Sequence, residues 1–427
     1  MRAMKDSGIP WIGEIPVHWE VKRLKQESTF INGFAFDSGD FKIEDGVRVI
    51  RIGDIGLKAD FEHCVRAITN PQLLAPYKIK NGDILIAMSG ATTGKCCIVD
   101  NAEEAYINQR VGIIRSDIRK IIYYSLQTQY FMEFVKLNNA GSAQPNISFK
   151  AIGDFSILSM PTTEQQRIAE FLDRKCAEVD EMIALQEQII EELKAYKQSV
   201  ITEAVTKGLN PAAPMRDSGI EWIGSIPEHW EVCRMKNVCT QNPNSLSEKE
   251  DKELEFDYVD IGSVSFEKGI FKSEHYAFKD APSRARRKAS LGDLIMSTVR
   301  TYLRAIDIVN TEEKANYIYS TGFAVLTPFD NIKYQYLSYI SKSQYFLEQV
   351  GILSKGINYP SINSTDLMTI SIALPTLTEQ QAIADYLDKK CADIDSLIQT
   401  KQSKIDSLKE YKKSIIYEYV TGKREVE

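Results

Sequence analysis

Chemistry-bearing residues are scarce in this sequence. Its 4 histidines share no ligand spacing, and none of its 7 cysteines belongs to a C-x-x-C pair, Cys96 and Cys97 being adjacent. Neither a zinc site nor a disulfide framework is indicated, and unpaired thiols point to a reducing, cytoplasmic setting. No apolar run approaches the roughly 18 residues of a membrane span. The opening MRAMKDSGIPW lacks an apolar signal core. A G-x-x-x-x-G-K-[ST] phosphate loop is missing too: Gly90 to Lys95, GATTGK, is glycine-rich but wrongly spaced. Scattered histidines give no Ser/His/Asp or Cys/His arrangement. No catalytic residue and no metal site is therefore expected.

What remains is an ordinary globular composition, 43% hydrophobic and 26% charged over 427 residues. At about 150 residues per domain that is two or three domains. A net charge of −7 argues at first against nucleic acid, but acid gathers in Ser247–Glu255, SEKEDKELE, and base in Ser283–Lys288, SRARRK. A local basic face on an acidic chain is compatible with DNA binding.

Thr163 to Gly208 reads as one long helix, about 65 Å at 1.5 Å per residue. Thr163 and Gln166 have capping-box spacing, and Gly208 suits the position just past the end. Ile168, Leu172, Val179, Met182, Ile189, Leu193, Tyr196 and Val200 recur at steps of three and four, as a coiled-coil seam does. A second such helix runs from Thr378 to Gly422, with Ile383, Leu387, Ile394, Leu397, Leu408, Tyr411 and Ile415 each 215 residues after its mate. Gln186 and Lys401 are polar at the same seam position and would fix register. Pairing of the two within one chain is favoured; a homodimeric coiled coil is the alternative.

The architecture is an internal repeat. Met4–Lys25, MKDSGIPWIGEIPVHWEVKRLK, returns as Met215–Lys236, MRDSGIEWIGSIPEHWEVCRMK. Each copy opens a half and each half ends in a long helix, with Asn210–Pro214 as linker, its prolines stopping the first helix. The globular parts, about 26–160 and 237–374, share only a skeleton: RVIRIGDIG (48–56) with YVDIGS (258–263), NGDILIA (81–87) with LGDLIM (291–296), and the strands at 157–161 and 370–375. Short β-branched runs between Gly, Asp and Asn read as strands with tight turns, and Ile121–Leu137 and Ile332–Val350 as helices. The fold class is α+β. Two globular domains, 1–160 and 211–374, are expected to be joined by two long helices, 161–210 and 375–427, forming an antiparallel intramolecular coiled coil.

One frame with two fillings suits binding the same partner twice and reading two different targets. The repeated DSGI-x-WIG-x-IP-x-HWEV segment, the G-D-[IL]-[LI] turn and P-[TL]-x-EQQ-x-IA-[ED]-[FY]-LD leading each helix resemble the specificity (S) subunit of type I restriction–modification systems. The likeness covers nearly the whole chain, twice. It implies a non-catalytic reader of a bipartite, asymmetric DNA target in a bacterial or archaeal cytoplasm. Two methyltransferase (M) subunits would bind it, carry S-adenosylmethionine and methylate adenine; restriction (R) subunits would complete the complex. The missing chemistry agrees, since no N-P-P-[YF] run is present and Asn242-Pro243-Asn244 is not one.

Candidate DNA contacts follow from charge and position. Arg284, Arg286, Arg287 and Lys288 suit phosphates or guanine edges, or are a solvated run. Ser89, Thr92, Thr93 and Lys95 follow the first G-D strand, and Arg300, Tyr302 and Arg304 the second. Gln144 and Asn146 in GSAQPNIS correspond to Lys355, Asn358 and Tyr359 in KGINYPS. Arg110 is a weaker candidate. Each of these is also readable as an ordinary turn or loop. Trp11, Trp19, Trp222 and Trp230, which recur in both halves, either anchor the repeated segment against the helix ends or form an M-subunit surface. Glu170, Asp173 and Arg174, with Asp385, Asp388 and Lys389, are further candidates for partner contact, or solvated charges. The rival reading is a two-headed coiled-coil scaffold that binds proteins and has no DNA specificity.

Overall fold

The structure, a computed structural model, describes residues 2–42, 45–139 and 145–426. It divides into two units, Met1–Gln186 with Ser403–Glu427, and Glu187–Gln402. The division falls inside both long helices, so each unit holds part of each.

In the first unit, Ile84–Ala87 lies second from the end of an antiparallel sheet in the order Thr29–Asn32, Val111–Arg115, Ile84–Ala87, Cys96–Ile98. All four of its residues are buried, and Leu85 pairs with Ile113, which pairs with Ile31. A mixed sheet joins Ala105–Ile107 in parallel to Val47–Ile50, then Val65–Ala67 and Phe41–Lys42. The second unit repeats the antiparallel sheet, and its mixed sheet keeps the parallel pair but carries its fourth strand, Ala285–Lys288, on the opposite edge, beside Ile318–Ser320. Leu294–Ser297 takes the place of Ile84–Ala87, and Glu255–Val259 pairs in parallel with Ile318–Ser320.

The Gly-Asp turn before each buried strand has a local cause. Gly82 and Gly292 adopt φ +84° and +89°, which glycine tolerates without strain. Asp83 and Asp293 each accept a backbone amide at 2.8 Å, from Lys80 and Ser290. The expected single helix after each sheet is two: Arg119–Leu126 and Gln129–Asn138, then Tyr334–Lys342 and Gln344–Leu353. Thr128 and Ser343 break them, their buried hydroxyls bonding back to the carbonyls of Ser125 and Ile340 at 2.6 Å.

Helix α1 spans Thr162–Lys207 and helix α2 Leu377–Val420. They pair antiparallel. In the first unit Asp180 bonds Lys412 and Phe171 packs on Tyr419 at 4.3 Å. In the second, Lys197 bonds Asp395 and Lys390 lies over the Tyr196 ring. Part of the expected seam stands, since Ile168, Leu172, Val179 and Val200, and on α2 Ile383, Leu387, Ile394 and Ile415, are buried; the alternate positions fall one residue later than expected, as at Ile190 rather than Ile189. Leu172, Cys176 and Val179 are buried, as are Gln186 and Ile190 further along, and on α2 so are Leu387, Cys391, Ile394 and Ile405. Met182, Tyr196, Leu397 and Tyr411 are each 50% exposed. Large apolar residues one step off the seam imitate its periodicity.

The helix starts differ from each other. Thr376 and Glu379 form the capping box of α2, the Glu379 amide donating to Thr376 Oγ1 at 3.3 Å and the Thr376 amide to the carboxylate. Pro161 occupies the matching place before α1, so Thr163 and Gln166 do not cap it; the Glu164 amide bonds the Pro161 carbonyl instead. Past the ends, Gly208 and Gly422 adopt φ +72° and +70°.

The repeated segment folds as a hairpin, Met4–Asp6 on Glu14–Pro16 and Met215–Asp217 on Ser225–Pro227. Its strands Glu20–Arg23 and Glu231–Arg234 then pair with Ser156–Ser159 and Ser371–Leu374. Trp19 and Trp230 are 0% and 1% exposed. Their indole N–H groups donate to Glu164 and Glu379 at 2.9 and 3.3 Å, beside His18 and His229 on the same carboxylates. Burial pushes the Glu164 carboxyl up, but bonds from His18 and Trp19 and the Arg2 charge outweigh it and hold it below the ordinary glutamate value. Among the described residues no helix is long and apolar enough to cross a membrane, and no group of His, Cys, Asp and Glu is placed to hold a metal ion.

Candidate nucleic-acid interface

In each unit the loop after the Gly-Asp strand is fastened to the loop before the last strand. In the first, the amide of Ile147 donates to Met88 at 2.9 Å and that of Gly90 to Pro145 at 2.9 Å. In the second, Ile362 donates to Thr298 at 2.8 Å and Thr301 to Pro360 at 3.3 Å. Ile147 and Ile362, like Pro145 and Pro360, are 215 residues apart. The frame is the same; the side chains it presents are not.

The first frame gathers Ser89, Arg110 and Asn146 around one cavity of about 670 Å³, with Asn32, Gln109 and Ser148. Arg110, Asn146 and Lys95 are exposed. The Ser89 hydroxyl is buried and meets no partner among the described residues. Thr93 leaves the candidate set. It is buried, and its hydroxyl donates to the Gly90 carbonyl at 2.7 Å, so it builds the loop. The Thr92 hydroxyl is buried as well. Gln144 lies outside the described residues. Arg51, which no sequence pattern marks, lines a second hollow of about 310 Å³ with Arg110, Phe36 and Phe41.

The second frame is more cationic. Arg300 and Arg304 flank a turn at Thr301–Leu303 and both adopt left-handed backbone, φ +51° and +48°. That conformation is uncommon outside glycine, and its strain of order 1 kcal/mol is tolerated where surroundings enforce it. Here the Thr301 hydroxyl meets Ser354 at 2.9 Å, the Arg300 guanidinium lies 5.3 Å from the Tyr359 ring, and Arg304 lies 5.7 Å from Phe266. Tyr302 and Arg304 line a hollow of about 440 Å³ with Phe266 and Phe271. Lys355, Asn358 and Tyr359 are exposed on a loop closed by two backbone bonds between Lys355 and Ser361, at 2.8 and 2.9 Å.

The Ser283–Lys288 run is not a wholly solvated one. Ala285–Lys288 is itself a strand at the edge of the mixed sheet. Arg286 lies over Phe278 at 4.8 Å and donates to the Ala285 carbonyl. Arg287 reaches Ser245 at 3.3 Å, and burial lowers its pKa. Only Arg284 and Lys288 of the four are exposed.

The candidate partner surface changes as well. Trp19 and Trp230 are core residues and leave it, while Trp11 and Trp222 remain 48% and 42% exposed. Asp173 and Asp388 are engaged internally, accepting from Tyr124 at 2.7 Å and Tyr339 at 2.6 Å, two pairs again 215 residues apart. Glu170, Arg174, Asp385 and Lys389 face solvent. Met182 and Tyr411 in the first unit flank the Asp180–Lys412 pair in sequence, as Leu397 and Tyr196 flank Asp395–Lys197 in the second. Each unit thus carries one copy of an exposed aliphatic and tyrosine beside the same ion pair.

Comparison with known proteins points one way. The family model described as the type I restriction modification DNA specificity domain matches residues 16–195 and again 227–410. The chain is similar to the MjaVIII specificity subunit of Methanocaldococcus jannaschii, a type I restriction enzyme subunit, at 27% identity over 83% of this chain and 81% of that one. It is similar to the EcoBI specificity subunit of Escherichia coli at 24% identity over 90% and 82%. A solved chain from a study of complex assembly and conformational transition of the type I R-M system has the same fold, with a TM-score of 0.69 at 17% identity over 95% of this chain and 98% of that one.

Proposed function

Since the chain belongs to the type I restriction–modification DNA specificity family, whose model matches both of its halves, we propose that each unit reads one half of a bipartite, asymmetric DNA target. Two methyltransferase subunits dock on the repeated helix and hairpin surfaces, bind S-adenosylmethionine and methylate an adenine turned out of the duplex. Restriction subunits complete the assembly. This chain supplies recognition and no catalytic group.

The observation that carries this reading is the pair of loop frames with unlike fillings. Backbone bonds at Met88–Ile147 and Thr298–Ile362 hold them alike, yet one presents Lys95, Arg110 and Asn146 and the other Arg300, Arg304 and Lys355. Phosphate contacts supply affinity and fix orientation, while base-edge contacts from the same loops supply specificity. Duplicated elements outside the frames suit two copies of one partner.

The test is methylome sequencing of cells carrying this chain with its M subunit, against cells from which this chain is deleted. Methyl-adenine at a split, asymmetric motif that disappears on deletion is expected. Methylation that persists unchanged on deletion would refute the reading and favour a protein-binding scaffold. Exchanging residues 26–160 for another family member's should alter one half of the motif only.

A further inference from the structure

Ile357 stands at the tip of the second unit's recognition loop with 98% of its surface in solvent. The loop is not slack. The two Lys355–Ser361 bonds close it, Gly356 turns it at φ +102°, and Ile362 and Thr301 tie its base to the turn bearing Arg300. An apolar side chain is thus held out on a braced tip, with three exposed cations, Arg300, Arg304 and Lys355, in the same frame. A polyanion drawn to those cations meets Ile357.

Resting on the DNA-reading function above, we propose that Ile357 recognises the C5-methyl group of a thymine in the half-site read by the second unit. In the major groove an A·T pair presents that methyl group beside the adenine N6 donor and N7 acceptor, whereas G·C presents no methyl. The neighbouring Asn358 brings the amide that adenine's edge requires, so the tip carries complements to both edges of the pair. The residue 215 positions earlier is Ser142, which lies outside the described residues and has no apolar surface to offer a methyl group. Thymine-methyl recognition from this position therefore belongs to one half-site.

The experiment uses the assembled complex of this chain with its M subunits and the cognate duplex, each thymine being replaced singly by deoxyuridine. In the wild type, one replacement in the second half-site weakens binding about fourfold, the worth of one buried methyl group. Ile357→Ser lowers affinity for the unmodified duplex by a similar factor and becomes insensitive to that replacement. No sensitive thymine in that half-site, or equal sensitivity in Ile357→Ser, would overturn the proposal while leaving DNA reading intact. Equal wild-type binding to cognate and scrambled duplexes would overturn both. Because Ile357 is 98% exposed among the described residues, the substitution removes almost no packing and the variant folds; an unchanged circular dichroism spectrum and retained M binding establish that.

Discussion

Lys412 donates to both carboxylate oxygens of Asp180, at 2.6 and 2.7 Å, across the antiparallel helix seam. Lys197 does the same to Asp395 at 2.8 and 2.7 Å, and the offset between the two pairs is 215 residues on both sides. Lysines 197 and 412 stand where the seam's three-and-four spacing would otherwise place an apolar residue. Such a position weakens the seam but restricts register, because slipping either helix strands the charge. The intramolecular pairing thus carries its own register mark once in each unit. Removing Asp180 or Asp395 is expected to destabilise by about 1 kcal/mol, the upper range for a partly exposed pair. Urea midpoints should fall alike for Asp180→Ala and Asp395→Ala, and a double-mutant cycle with the partner lysine should show coupling. Zero coupling in both cycles would remove the register role.

The buried aspartates of the two Gly-Asp turns should behave oppositely. Asp83 is held by Arg115 through Nε at 2.6 Å and Nη2 at 2.9 Å. Among the described residues its mate Asp293 has no such cation and one of its carboxylate oxygens meets no partner, and burial pushes its pKa above the ordinary 3.8 despite the Ser290 amide. Arg115→Ala leaves a buried charge unpaired and is expected to cost about 3–5 kcal/mol. Asp293→Asn is expected to be neutral or stabilising at pH 7. The sign follows from linkage: a raised carboxyl pKa in the folded state contributes stability at low pH that is lost as pH rises through it. Asparagine removes that loss, so the variant's advantage over wild type should grow from acid to neutral pH. An advantage that shrinks instead, in urea titrations at the two pH values, would show that Asp293 is stabilising as an anion.

Much of this fold was legible because the sequence states it twice. The 16 of 22 identities between residues 4–25 and 215–236 mark the repeat, and the Gly-Asp turns mark the buried strands. The seam phase was less legible, since Met182, Tyr196, Leu397 and Tyr411 have the periodicity of a buried stripe although they face solvent. The interface was legible only in part. Composition picks out Ser283–Lys288, but strand pairing turns two of its cations onto Phe278 and Ser245. Arg51 and Ile357 give no sequence signal, because their place depends on which loops the sheets bring together.

Arg300 and Arg304 should act on affinity more than on sequence choice. Phosphate contacts release counterions, so each one lost should weaken binding at all sequences and lower the salt slope by about 1. Arg300→Ala and Arg304→Ala complexes, titrated with cognate and unrelated duplexes over a range of salt, should each show this. Loss confined to the cognate duplex with an unchanged slope would reassign that arginine to base reading.

The exposed tyrosines next to the seam lysines separate one docking site from two. Tyr196 and Tyr411 are equally exposed and equally placed in the repeat, with Leu397 and Met182 as their aliphatic counterparts. Exposed aromatics enriched at interfaces carry much of their binding energy. Because neither ring is buried, Tyr196→Asp and Tyr411→Asp should leave the fold intact and place a desolvated charge in whatever covers them. Mass measurement by light scattering should then find one M subunit bound to either single variant and none to the double variant. If each single variant loses both M subunits, docking is cooperative and the second subunit needs the first. If the double variant still carries two, the helix flanks are not the docking surface, and the exposed Trp11 and Trp222 become the residues to change.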